Sequence, residues 1–194
     1  MADVDRETVA RLKRGDDDAY IRVVRALKDP VFRFALRLCR DRDTAEDITQ
    51  QTFLAVWESI RSFEGRSRFT TWVFGIAYRQ YLTVRRWDMQ SPDTVPLQEW
   101  HQDDDALDPG SAVVDADQRD RLRRAVYVLP DPYREVVCLV YLQELTCRET
   151  AEVLSVPIGT VKSRMSCALR LLRERLRGSE VVHNDEREAE NTKA

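Results

Sequence analysis

The sequence predicts an all-α protein of two small helical domains joined by a flexible acidic linker. Three observations predict it. Apolar residues recur at three- and four-residue steps over long stretches, the spacing of one helix face. Glycine and proline are scarce, at 6 and 7 of 194 residues, which disfavours a loop-rich sheet architecture. The helical spacing also stops near residue 88 and resumes near residue 118, dividing the chain into two blocks.

A hydrophobic share of 43% supplies core for both blocks, and a charged share of 34% suits helices in water. No apolar run approaches the ~20 residues needed to cross a bilayer. The N-terminus lacks the apolar core of a signal peptide, so a cytoplasmic protein without membrane insertion is expected. Cys39, Cys138, Cys147 and Cys167 form no Cys-x-x-Cys pair, and His101 and His183 are the two histidines available as further ligands. Reduced thiols, no metal, no cofactor and no enzyme active site are expected.

In the first block, Gly15-Asp16-Asp17 should stop a short helix and cap the next. That next helix carries Tyr20, Val23, Val24, Leu27, Val31, Phe34, Ala35 and Leu38 on one face. Pro30 should kink or divide it, because proline lacks the backbone donor. A further helix should open at Asp43, with Glu46 completing a capping box, and run to about Arg61. Its core stripe is Ala45, Ile48, Thr52, Ala55 and Val56, widened by Phe53 and Trp57, with Leu54 further round beside Asp47 and Gln50. An apolar arc that wide is either covered on two sides or meets a partner. The block ends with a helix from near Thr70 to about Trp87.

Between residues 88 and 117 stand Asp88, Asp93, Glu99, Asp103, Asp104, Asp105, Asp108, Asp115 and Asp117, with no Lys or Arg. Pro92, Pro96, Pro109 and Gly110 interrupt any periodicity, so residues 91–117 read as an extended, solvated linker. In the second block, residues 118–178, Leu122, Ala125, Val126 and Leu129 mark a helix closed by Pro130-Asp131-Pro132. Tyr133, Val136, Val137, Val140 and Tyr141 mark another. Residues 179–194 read as a frayed polar tail.

From Leu145 to Leu176 the pattern is a helix-turn-helix. Thr146 and Glu149 form a capping box, Ala151 is small where two helices cross, and Pro157 ends the first helix. Thr160 should cap the second. Val161, Met165, Ala168, Leu169, Leu172 and Leu176 line its inner face, while Lys162, Ser163, Ser166, Cys167 and Arg170 turn outward. Between Thr160 and Arg177, Lys162, Arg164, Arg170, Arg173, Arg175 and Arg177 face one acid, Glu174, a net of +5. The chain's overall charge of −3 hides this segregation. A basic helix following a tight turn is how this motif enters the major groove.

Ile158-Gly159-Thr160-Val161-Lys162-Ser163-Arg164 resembles the start of the recognition helix in the extracytoplasmic-function (ECF) group of bacterial RNA polymerase sigma factors, within the sigma-70 family. Leu129-Pro130-Asp131-Pro132-Tyr133-Arg134-Glu135-Val136 resembles the stretch opening the same family's −35 domain. Asp47-Ile48-Thr49-Gln50-Gln51-Thr52-Phe53-Leu54-Ala55-Val56-Trp57 is similar to the helix by which sigma factors grip the polymerase β′ coiled coil. Phe63-Glu64-Gly65-Arg66-Ser67-Arg68-Phe69-Thr70-Thr71-Trp72 is similar to the loop that pockets a flipped base of the −10 element.

The resemblance implies a region-2 bundle over 1–90, which binds core polymerase and the −10 strand, and a region-4 domain over 118–178, which reads the −35 duplex. It implies Asp47, Gln50, Gln51, Leu54 and Trp57 as polymerase contacts, although Trp57 has a core reading too. For the −10 strand it implies Phe63, Glu64, Gly65, Arg66, Ser67 and Arg68, joined by Tyr78, Arg79, Arg85 and Arg86 of the following helix. For the −35 duplex it implies Thr160, Lys162, Ser163, Arg164, Ser166, Cys167 and Arg170. The implied partners are core RNA polymerase through its β′ and β subunits, promoter DNA and an anti-sigma factor. Three positions depart from the pattern. Gly75-Ile76 replaces the melting aromatic pair of primary sigma factors, Arg79 stands where Asn is common, and Cys167 where Arg is common. The alternative is an ordinary helix-turn-helix regulator that is not a polymerase subunit.

Overall fold

A computed structural model describes residues 4–90 and 116–191, with side chains over 4–87 and 120–177. The expected linker therefore lies outside the described residues, apart from its last two. Eight helices make up the described chain: α1 (Arg6–Lys13), α2 (Asp17–Cys39), α3 (Arg42–Ser59), α4 (Phe69–Gln90), α5 (Ala116–Tyr127), α6 (Asp131–Val137), α7 (Cys147–Leu154) and α8 (Ile158–Asn191).

Local chemistry sets most boundaries. The Asp5 and Asp16 carboxylates accept from the Thr8 and Ala19 amides and cap α1 and α2. Gly15, at φ +82°, makes the left-handed turn between them. Pro30 does not divide α2, which is continuous from Asp17 to Cys39. Leu27, Val31 and Phe34 are fully buried around the missing hydrogen bond, so packing holds the helix together there. The cap of α3 is Asp41 rather than Asp43: its extended backbone lets the carboxylate accept from Thr44 N at 2.7 Å. Glu46 instead pairs with Arg42 one turn earlier. Thr49 and Thr52 pass as core residues because their hydroxyls donate back to Ala45 O and Ile48 O, each at 2.7 Å.

In the second block, Pro130 precedes α6 and Pro132 sits in its first turn, where a missing donor costs nothing. A wide π turn over Cys138–Leu142 ends this helix. Thr146 and Glu149 make the predicted capping box on α7. Ser155, in the left-handed region at φ 53°, closes α7. The next helix starts two residues before Thr160, because Thr160 N and Val161 N both donate to Pro157 O. Thr160 thus lies within α8 and does not cap it. The expected frayed tail is helical as far as Asn191, in keeping with its Glu, Arg and Ala content.

The sequence gives no sign that the two blocks touch, yet they pack together. Helix α4 lies on α7, and α2 lies on α6 and the π turn. One buried cluster runs from Leu27, Phe34, Val56 and Phe74 of the first block to Leu139, Leu145, Val153 and Val161 of the second. A smaller cluster of Ala125, Leu129, Val137, Ala168 and Leu172 ties α5 and α6 to α8.

Candidate functional site

The first candidate surface is the outer face of α3. Burial of Ala45, Ile48, Thr52 and Val56 fixes the helix rotation and leaves Asp47, Gln50 and Gln51 exposed. Leu54 points outward at 53% exposure, a large apolar group with no core partner to explain it. Trp57 divides its surface: it is 38% exposed, and its ring meets Tyr20 edge-on at 5.0 Å. Trp57 thus packs on one side against the fold and leaves the other side open. Five predicted residues share this face, which combines an apolar centre with hydrogen-bonding groups, the composition of a protein interface.

The second surface follows α3. Gly65, at φ +74°, makes a turn that places Glu64, Gly65 and Arg66 in solvent, with Arg66 and Glu64 paired at 2.5 Å. Lys13 Nζ donates to Phe63 O and anchors the start of the loop. Phe63 is buried among Phe69 and Trp72, so it supports the loop from below. Ser67 is half-buried, and Arg68 is partly exposed and faces Glu149 of α7 at 3.5 Å. On α4, Arg79 and Arg86 are exposed. Tyr78 is buried, contrary to the expectation of a base-stacking ring, and its hydroxyl lies beside the Glu135 carboxylate. Arg85 is half-buried, 3.6 Å from Asp131 and 3.7 Å from Glu135.

The third surface is the start of α8. With Val161 and Ala168 fully buried, Lys162, Ser163, Ser166 and Arg170 are exposed, while Thr160, Arg164 and Cys167 are half-buried. The hydroxyls of Ser163 and Ser166 donate to Thr160 O and Lys162 O, leaving oxygen lone pairs outward. Arg170 pairs with Glu174 one turn on, at 3.4 Å.

Sequence reasoning missed the polar contacts between the blocks. Arg134, only 2% exposed, donates to Leu129 O at 2.8 Å, to Asp131 at 2.6 Å and across the boundary to Leu38 O at 3.2 Å. Leu38 O is one of the last carbonyls of α2, which lack partners inside the helix, so a side chain of the second block caps the first. Arg40 reaches back to Leu129 O and lies over the Tyr127 ring at 4.8 Å. Thr71 donates to Glu149 at 3.1 Å.

Burial pushes the Glu135 carboxyl above its ordinary range, against the pull of Tyr78, Arg85 and Arg164. Burial also raises the Tyr78 hydroxyl, and the neighbouring Glu135 carboxylate adds to the shift. For Glu149 burial works in the same direction, but hydrogen bonds from Thr146 and Thr71 outweigh it and hold the carboxyl low. No buried arginine or carboxylate here was visible as such in the sequence. The Arg134 and Glu149 positions were legible only as parts of local motifs.

These surfaces are three candidate faces of a helical factor, one suited to a protein partner and two to DNA. Residues 23–87 match the family model for Sigma-70 region 2, and residues 125–174 match that for Sigma-70, region 4. The chain is 32% identical over 182 residues to the ECF RNA polymerase sigma factor SigW of Bacillus subtilis, covering 89% of this chain and 96% of that protein. It is 28% identical over 185 residues to the ECF RNA polymerase sigma-E factor of Haemophilus influenzae, covering 89% and 95% respectively. Among solved structures, the sigma factor RpoE bound to the anti-sigma factor NepR from Bartonella quintana superposes with a TM-score of 0.66 at 26% identity. That match covers 81% of this chain and 96% of the other. The chain belongs to the ECF group of RNA polymerase sigma factors, in the sigma-70 family. It is a transcription initiation factor that recognises promoters, and among the described residues no helix is long and apolar enough to cross a membrane.

Proposed function

We propose that residues 1–90 dock on core polymerase through Asp47, Gln50, Gln51, Leu54 and Trp57 and capture the −10 strand through the Phe63–Arg68 loop and α4. Residues 118–178 read the −35 duplex through Lys162, Ser163, Arg164, Ser166, Cys167 and Arg170, with Thr160 beside them. Residues 91–117 span between the two. The factor works in the cytoplasm without catalysis of its own, and an anti-sigma factor restrains it.

The exposed Leu54 carries this reading. A large apolar side chain turned to solvent beside Asp47, Gln50 and Gln51 has no use in the fold and an evident one in a partner. Phosphate contacts by the basic start of α8 add salt-dependent affinity for duplex, and tethering two weak DNA contacts raises their joint affinity. The test is run-off transcription from a pool of genomic promoters with core polymerase. Leu54→Asp should abolish polymerase capture and transcripts together, and Lys162→Ala with Arg170→Ala should lose transcripts while keeping capture. Wild-type protein that neither binds polymerase nor yields any transcript would defeat the assignment.

A further inference from the structure

A cavity of about 200 Å³ lies where the end of α2, α4 and the start of α6 meet, and three arginines, Arg40, Arg85 and Arg134, line it together with Tyr81 and Asp131. Asp131 is the one carboxylate of the lining, and it is already engaged. It accepts from Arg134 at 2.6 Å and faces Arg85 at 3.6 Å. Arg85 has Glu135 as a further partner at 3.7 Å. Arg40 forms no ion pair among the described residues. Its guanidinium lies over the Tyr127 ring at 4.8 Å and makes one long bond, to Leu129 O at 3.5 Å.

Arg134 donates to the same carbonyl at 2.8 Å, so the two guanidiniums stand side by side. Burial and the charge of Arg134 both act against the Arg40 cation. Nε of Arg40 and Nε of Arg134 are each buried without a hydrogen-bond partner, and Arg134 is 2% exposed. Unused buried donors on neighbouring like charges disfavour the arrangement by itself. An anion between them would offset the repulsion and accept the spare N–H groups.

The backbone adds an independent sign. Arg40 ends α2 at φ 64°, in the left-handed region where glycine is the usual residue. Strain at such a position points to a use for the side chain. Size then narrows the ligand. About 200 Å³ is smaller than the ~300–1,000 Å³ of sites for drug-sized molecules and suits one phosphoryl group. Arginine forks match phosphate oxygens in pairs.

We propose that this cavity binds a small phosphate, free or as the phosphoryl end of a phosphomonoester, with Arg40 as its principal ligand and Arg134 beside it. Of the lining residues only Arg85 was assigned above to the promoter strand, and Arg40 and Arg134 carry the site without it.

The test is isothermal titration of the full chain with inorganic phosphate against chloride of equal ionic strength. One site with a Kd of about 1 mM or tighter is expected. Glycerol 3-phosphate is titrated separately: tighter binding of it identifies a phosphomonoester as the ligand, and tighter binding of the inorganic ion identifies free phosphate. Arg40→Gly, which suits the left-handed backbone, should weaken binding about tenfold or more, the effect of losing a charge-assisted hydrogen bond. Arg40→Gln, which keeps much of the side-chain bulk, should do the same, with helix content unchanged by circular dichroism in both. Arg25→Gln, at an exposed arginine of α2, should bind like wild type. Heats no larger than those of matched chloride for both phosphates would overturn the site. Equal weakening by the Arg40 variants and by Arg25→Gln would reduce it to a general effect of surface charge, and would overturn it as well.

Discussion

Replacing Arg134 tests whether one buried guanidinium holds both the second block and its contact with the first. Its side chain is 2% exposed and makes three hydrogen bonds, to Leu129 O, Leu38 O and Asp131. The Asp131 bond counts for little, because that carboxylate is 35% exposed and keeps Arg85 as a partner. The two carbonyl bonds are buried and charge-assisted, each contributing about 1.5–3 kcal/mol. Leu129 O keeps a long contact with Arg40 at 3.5 Å, which trims the loss. Arg134→Ala should therefore cost about 3–5 kcal/mol, a large part of a typical domain's stability. Arg134→Met, which fills the volume but donates nothing, should lose nearly as much. Arg134→Lys should recover about half, since one ammonium cannot fork to both carbonyls. Urea unfolding followed at 222 nm gives the values. Alanine and methionine variants within about 1 kcal/mol of wild type would refute the claim that these carbonyls depend on Arg134.

The packing of the two blocks should weaken as pH rises above the ordinary carboxyl range, because burial holds Glu135 above that range and its contribution is lost as pH rises through the raised value. The groups facing it are Tyr78 and Arg85 from α4, Asp131 from its own helix and Arg164 from α8, and Glu135→Gln should abolish this trend in a scattering titration. Glu149 has the opposite sign: its carboxyl is held low, so its contribution is lost only in more acid solution. Lys162→Ala should reduce the slope of log affinity against log salt for −35 duplex by about 1 without changing base preference, as measured by anisotropy at several salt concentrations. Cys138, fully buried with its thiol pushed up to about 11, should resist iodoacetamide in the native chain, whereas half-buried Cys167 should react; mass spectrometry of the alkylated peptides reports both.

What the sequence revealed depended on the range of the interaction. The Thr146–Glu149 box is a spacing of three residues, and the buried Val161, Ala168 and Leu172 follow one helical period, so both were legible. Two caps were misplaced because several neighbours could serve. Asp41 and Asp43 have the same side chain, and the backbone of Asp41 decides between them. At α8 the first acceptor is the Pro157 carbonyl, a group with no side-chain signature, so the nearby threonine attracted the assignment. Phe63 and Tyr78 looked like strand-binding aromatics because aromatic residues suit both stacking and cores; packing against Phe69, Trp72 and Glu135 decides their burial. The Arg134 to Leu38 O contact joins positions 96 residues apart and ends on a main-chain oxygen. Nothing in local spacing can announce it.

Glu149 shows why a contact between the blocks need not disturb the helix-turn-helix that makes it. Its two carboxylate oxygens are divided between two tasks. Oε2 accepts from Thr146 N and Thr146 Oγ1, both at 2.8 Å, and so fixes the start of α7. Oε1 accepts from Thr71 at 3.1 Å and faces Arg68 at 3.5 Å, and so fixes the blocks to each other. Separation of the blocks breaks only the second set. Water can replace Thr71 and Arg68 at Oε1, while the cap at Oε2 keeps the first helix of the helix-turn-helix formed. Thr71→Val and Thr146→Ala should accordingly behave differently. The first should open the chain with duplex affinity intact, whereas the second should loosen α7 by about 1 kcal/mol and weaken −35 binding. Equal losses of duplex affinity in the two variants would mean that the oxygens do not act separately.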